Sequence, residues 1–138
     1  MGNRIRVFKD CSLKYLPRKK AKEAVKRTLE GEGVDGAEIN LIFFDDEKIR
    51  SLNKRFLKED RATDVLAFKL NEDDEPLEGE IYVGAERAAE QAKKYKVSFT
   101  KEILRLSVHG ALHLAGYADN TEKARNEMRK LEDKYILE

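Results

Sequence analysis

One cysteine, Cys11, stands among the 138 residues. No intrachain disulfide can form, which takes the chain out of the class of small secreted, disulfide-stapled scaffolds. No apolar run approaches the roughly 20 residues of a membrane span. The first residues, Met1-Gly2-Asn3-Arg4-Ile5-Arg6, lack the apolar core of a secretory signal and the Ser or Thr that a myristoylation site wants at position six. The expectation is a cytoplasmic protein. An excess of either charge is missing too: 28 basic residues face 27 acidic ones, for a net charge of +1. Any surface that binds a polyanion must therefore be local. Repeats, low-complexity tracts and Pro/Gly-rich linkers are also absent.

What is present is charge in bulk and enough apolar material for a core. Charged residues make up 40% and hydrophobic residues 41%. With a single Gln (Gln91), this is a composition of proteins from hot environments, where ion-pair networks are favoured and labile amides avoided. It is equally that of a heavily solvated surface. The length indicates one domain, residues 1–138, large enough to bury about 70% of its unfolded surface without staples.

Residues 4–8 alternate polar and apolar and read as a short strand. Pro17 suits the first turn of a helix over 17–30, ended by Gly31 and Gly33. Residues 37–44 end in Leu-Ile-Phe-Phe, a buried strand. Asp45 or Asp46 can cap a helix running through Ile49, Leu52 and Phe56. Residues 63–70 and 80–83 read as strands separated by an acidic loop over 71–76, and a helix follows over 85–96. Thr100 can cap the next helix, whose Ile103, Leu104, Leu106, Val108, Leu112 and Leu114 occupy much of its circumference. That helix is expected at the centre of the domain. The last helix covers 121–136, with an apolar stripe of Ala124, Met128, Leu131 and Tyr135. Four strands with about five helices indicate an α+β domain, a small sheet covered by helices.

The two histidines of the chain, His109 and His113, lie four residues apart in the central helix. Residues at that spacing share a helical face, so both imidazoles can converge on one zinc ion. Gly116 can take the left-handed conformation that ends a helix and turns the chain back. Asp119 then becomes the third ligand. The array H-x3-H-x5-D parallels the metzincin zinc-protease array, H-E-x-x-H-x-x-G-x-x-H, with Gly110 in place of the catalytic Glu and Asp119 in place of the third His. Three protein ligands leave one position of tetrahedral zinc open, the arrangement of a catalytic site, where water becomes acidic enough to react near neutral pH. The structural alternative is two histidines packed in a core helix, with Asp119 and Glu122 forming a capping box for the last helix.

The stretch from Val108 to Asp119, V-H-G-A-L-H-L-A-G-Y-A-D, resembles the signature H-G-x-L-H-L-x-G-Y-D-H of the YbeY family of bacterial endoribonucleases and rRNA maturation factors. The resemblance extends over Asp46-Glu47-Lys48-Ile49-Arg50-Ser51-Leu52-Asn53, Asp60, Thr63-Asp64-Val65-Leu66-Ala67-Phe68 and Gly79-Glu80-Ile81. In the closing helix it takes in Glu127-Met128, Glu132 and Ile136, so that residues 37–136 are covered. It implies a small mixed four-stranded sheet packed with helices and a metalloprotease-like metal site at the end of the central helix. It also implies one zinc ion per chain, hydrolysis of single-stranded RNA, and work on the ribosome in rRNA maturation and quality control.

There are two departures. Asp119 stands at the family's third histidine, and Leu57 stands where the family has an arginine after its aromatic residue. Arg55, Lys58 and Arg61 are candidates to restore that positive charge and to contact RNA. Because Gly110 offers no side chain as a base, Asp64 and Glu80 are the candidates that the family segments leave; ordering of loops through backbone amides accounts for them equally. The expected function is thus a zinc-dependent, single-strand-specific endoribonuclease. The alternatives are a non-catalytic RNA- or ribosome-binding factor with a weakened metal site and, disfavoured by Gly110, a metal-dependent peptide hydrolase. Two His and one Asp also match the ligands of non-haem iron oxygenases, although those are not usually paired on one helix. Cys11 has no visible role and reads as a small buried residue.

Overall fold

Ile5 and Val7 turn inward from β1 (Arg4–Asp10), and Ile39, Leu41 and Phe43 turn inward from β2 (Glu38–Phe44). The structure, a computed structural model, describes residues 2–57, 64–72 and 75–136, without the side chains of Phe56 and Leu57. Between the first two strands runs α1 (Arg18–Gly31), which buries Ala21, Ala24, Val25, Thr28 and Leu29 at helical spacing. It ends at Glu32, where Gly33 takes a φ of +76° that favours glycine. After β2 comes α2 (Asp46–Leu52), which loosens into a π-helical turn over Asn53–Leu57 instead of continuing as α-helix to Phe56. Asp45 is the N-cap by position. Its carboxylate, however, accepts from the Ser12 amide (3.1 Å) and ties β1's end to this helix.

β3 (Val65–Lys69) pairs antiparallel with β4 (Glu78–Gly84), giving the sheet order β1-β2-β4-β3 with the other two pairings parallel. The sheet is mixed, and β3 is an edge. β4 is longer than its EIYV run because its register with β2 spans Glu78 to Gly84. Ile81 and Val83 join Leu41 and Phe43 on the core face, while Phe44, Tyr82 and Phe68 meet on the other face, with ring centroids 4.9 and 5.8 Å apart.

Three helices follow: α3 (Ala85–Tyr95), α4 (Phe99–Leu114) and α5 (Glu122–Ile136). Ser98, not Thr100, caps α4. Ser98 has the extended backbone of a cap and its hydroxyl accepts the Lys101 amide at 3.0 Å, whereas Thr100 already lies in the first turn. α4 touches α1, α3, α5, β3 and β4 and is the central element its sequence indicates. Ile103, Leu104, Leu106 and Leu112 are at most 1% exposed, so truncating one of them to Ala costs roughly 2–5 kcal/mol. Among the described residues, the observed α+β architecture of four strands and five α-helices matches the expectation.

Candidate metal centre

α4 can lie close to β4 because residue 110 is glycine. A Cβ there would stand 2.5 Å from Ile81 Cγ2, well inside van der Waals contact. The side chain missing at this position would press into the sheet, not toward the histidines. The same close approach sets the last turns of α4 against the sheet, with His109 and His113 on the flank that remains partly open. α4 ends at Leu114, Ala115 follows, and Gly116 takes a φ of +108°. Only glycine adopts that backbone without strain, and the turn sends the chain back past the helix face.

Asp119 arrives on that return. Its Oδ2 lies 3.3 Å from His109 Nε2 and 3.4 Å from His113 Nε2, and the two Nε2 atoms are 3.0 Å apart. Ligand atoms held at about 2.0–2.1 Å around a tetrahedral ion are separated by roughly 3.3 Å, so this donor set fits one zinc-sized cation. Side-chain exposure rises from 18% at His109 through 32% at His113 to 43% at Asp119, so the trio opens toward solvent on the Asp119 side. The competing role for Asp119, the capping box with Glu122, is not the one the structure shows. Thr121 Oγ1 accepts the Ala124 amide at 3.0 Å and caps α5, which leaves the Asp119 carboxylate to the histidines.

Behind His109 lies a buried polar network. Glu132 Oε2 accepts from His109 Nδ1 at 2.7 Å. Arg105 forks onto Glu102 (2.9 and 2.6 Å) and reaches Glu132 Oε1 at 3.4 Å. Glu102 is 1% exposed and Glu132 3%. Burial, the largest influence on the His109 ring, opposes its protonation. The hydrogen bond and charge of Glu132, with Asp119 and Asp64 behind, outweigh it and hold the pKa above the ordinary histidine value. Since an ionised carboxylate only accepts, Nδ1 carries the proton, and in the neutral ring Nε2 presents its lone pair to the trio.

Glu32 clasps the return loop from the other side. Tyr117 Oη donates to Glu32 Oε1 and Tyr135 Oη to Oε2, each at 2.5 Å. These two bonds, Tyr117's first, hold the Glu32 carboxyl below its usual range, while burial and the Glu32 bond push Tyr135 up to about 12. One carboxylate thus joins the end of α1, the loop that carries Asp119, and α5.

A cleft of about 490 Å³ runs beside His113 between the turn at Gly116 and β3. Among the described residues that line it, Lys69 is basic, with Val65, Leu66 and Ala67 along one wall. Asp64 bonds Gly84 and Leu70 bonds Glu78 across the β3–β4 pair. By antiparallel alternation, the backbone groups of Val65, Ala67 and Lys69 face away from β4, on the strand's free edge.

Arg55 is an exposed residue of the π-helical turn and does not line the cleft, and Lys58 and Arg61 lie outside the described residues. Glu80 is hydrogen-bonded by Tyr82 Oη at 2.6 Å, and its strand neighbour Ile81 is the one that meets Gly110. It therefore sits on the far face of the sheet from the histidines. Asp64 bonds Gln91 at 3.4 Å and reaches His109 only through its field. Cys11 is half-buried against the core, and burial pushes its thiol pKa up, away from reactivity.

Glu132 was the informative residue that periodicity passed over. It lies four residues after Met128, beside the apolar stripe of α5, and a carboxylate at that position is the available signal. Lys69 and Glu32 carried no local signal.

Against known proteins, the profile of the family described as Endoribonuclease YbeY matches residues 9–138. A protein of that name from Desulforamulus reducens is 44% identical over 83% of this chain and 81% of its own length. One from Caldanaerobacter subterraneus subsp. tengcongensis is 43% identical over 82% and 81%. One from Chlorobium phaeobacteroides is 34% identical over 89% and 88%. Among solved structures, a solution structure of a Thermotoga maritima protein superposes with a TM-score of 0.67 at 34% identity, covering 96% of this chain and 86% of that one.

Proposed function

The chain belongs to the YbeY family, and from that premise we propose that it is a zinc-dependent endoribonuclease that cuts single-stranded RNA during rRNA maturation and ribosome quality control in the cytoplasm. The observation that carries the reading is the convergence of His109, His113 and Asp119, whose ligand atoms lie within 4.8 Å of one another beside an open cleft.

When bound, a zinc ion supplies a lowered pKa for water and a positive charge beside a phosphoryl oxygen. The protein's own groups do the rest. Glu132 holds the His109 ring by Nδ1 so that Nε2 faces the trio, and Arg105 holds Glu132 in place. Gly116 and the Tyr117–Glu32 bond return Asp119 to the same point. The outer edge of β3 carries the backbone N–H groups of Val65 and Ala67 beside the cleft, donors suited to a phosphate chain.

One further reading has specific support, a non-catalytic RNA- or ribosome-binding factor. Asp119 and Leu57 both depart from the family pattern, and a carboxylate in place of a third imidazole lowers the net charge of the centre. A peptide hydrolase is disfavoured because position 110 has no room for a catalytic Glu. Elemental analysis of the untagged protein, together with cleavage of a single-stranded RNA by the native chain and by His113→Ala, separates these readings. The nuclease reading expects one zinc per chain and cleavage, both lost in the variant. Bound RNA without cleavage at full zinc occupancy would transfer the assignment to the binding factor.

A further inference from the structure

The near-zero net charge conceals a steep asymmetry. Residues 1–31 contain ten basic and three acidic residues, against eighteen and twenty-four in the remainder. Much of the excess lies on α1, which opens with Arg18, Lys19 and Lys20, continues with Lys22 and Lys26, and has no acid in its first turn. The arrangement works against the helix. Cations at a helix N-terminus oppose its dipole, and Arg18, Lys22 and Lys26 repel one another at four-residue spacing. All five side chains are exposed. The ion pairs among the described residues, which join Arg4 to Glu38 and Lys48 to Asp10 nearby, leave out Arg6, Arg18, Lys19 and Lys22.

These four residues are brought together. They line a groove of about 580 Å³ between α1 and β1, the edge strand opposite β3, and Phe8, 48% exposed, stands among them. A cluster of unpaired cations around an exposed aromatic ring fits the backbone and bases of a nucleic acid. The groove is remote from the metal centre. Glu32, which bonds Tyr117 of the metal loop, follows the far end of α1, and a helix of 14 residues is about 20 Å long.

We propose that this groove is a second RNA-binding surface, gripping phosphates through Arg6, Arg18, Lys19 and Lys22 with Phe8 against a base or ribose. It anchors structured RNA about one helix length from the point of cleavage. The inference rests on the reading of the chain as an RNA-cleaving protein for the identity of its polyanion. An acidic protein is the rival occupant. The exposed ring beside the cations favours RNA.

The test is fluorescence anisotropy of a stem-loop RNA over a range of salt concentrations, with chelator present to stop cleavage. The native protein is compared with the triple variant Arg18→Glu, Lys19→Glu, Lys22→Glu and with the matching triple Gln variant. Acidic residues suit a helix N-terminus, so the charge-reversed protein should fold, and the Gln variant guards against the opposite. Affinity should fall at least tenfold, and the slope of log affinity against log salt should flatten by about two to three. Zinc content and cleavage of a short single-stranded oligonucleotide should stay at native levels. Unchanged affinity and slope in both variants would overturn the proposal. So would displacement of the RNA by polyglutamate at equal charge, which would assign the groove to an acidic protein. Failure of the native protein to cut the oligonucleotide counts against the nuclease reading alone, because the anisotropy comparison does not depend on cleavage.

Discussion

A carboxylate that is ionised accepts hydrogen bonds and cannot donate them, so the contact of Glu132 with His109 Nδ1 fixes where that ring keeps its proton. Replacing Glu132 by Gln keeps the shape and removes the charge. The ring loses its fixed tautomer and part of its basicity, and zinc affinity measured by chelator competition should fall about 10–100-fold. An unchanged affinity would leave Glu132 with a packing role only. Asp119 and Thr121 can be separated in the same way. Asp119→Ala should weaken zinc binding and leave the stability of the metal-free protein nearly unchanged. Thr121→Ala should lower that stability by about 1 kcal/mol in a urea titration and leave zinc affinity alone, since Thr121 is the residue that caps α5. Exchange of these two outcomes would restore Asp119 as a cap.

At the scale of elements, the critical contact is between α4 and β4 at Gly110. Alanine there gains up to about 1 kcal/mol of helix propensity. It also places a methyl group 2.5 Å from a branch atom of Ile81, which cannot swing away as the tip of a long side chain could. Overpacking of this kind costs about 1–3 kcal/mol, so Gly110→Ala should be destabilised on balance, with a lower denaturation midpoint. A second junction, Glu32, joins α1, the metal loop and α5. Tyr117 and then Tyr135 lower the Glu32 pKa from its ordinary 4.5. A depressed folded-state pKa means that the ionised carboxylate contributes stability above the unfolded value, and that this contribution is lost as pH falls through the folded one. The stability difference between the native protein and Glu32→Gln should therefore be largest at neutral pH and shrink on acidification below about 4.5. A difference that stayed constant over that range would mean the two tyrosines bond either form equally.

For the whole molecule, zinc and folding should be coupled. The three candidate ligands come from α4 and from the loop that precedes α5, and they meet only in the folded chain. A ligand that binds the native state alone stabilises it by about 2.7 kcal/mol at a free concentration one hundred times its dissociation constant. Adding zinc should raise the Tm of the native protein progressively and leave that of His113→Ala nearly still. An equal rise in both would indicate binding elsewhere.

The four-residue spacing of His109 and His113 and the glycine at 116 were legible as a candidate metal site because helix geometry is local: the 3.6-residue repeat alone puts the two rings on one face. The central position of α4 was legible for a similar reason, since a helix apolar around most of its circumference has to be covered on most sides. The strand ends, the π-helical turn and the capping of α4 were less legible. Ladder pairing with β2 lengthens β4, and two hydroxyls, Ser98 and Thr100, competed for one cap position that only the backbone angles decide. Tertiary structure alone brought Glu132 of α5 behind His109, 23 residues away, and Glu32 against Tyr117, 85 residues away. It also seated Gly110 on Ile81 and gathered Arg6, Phe8 and the start of α1 into one groove. A side chain's partner across such separations depends on how helices and sheet stack, and stacking is set by the sum of many small packing contacts that no short stretch of sequence contains.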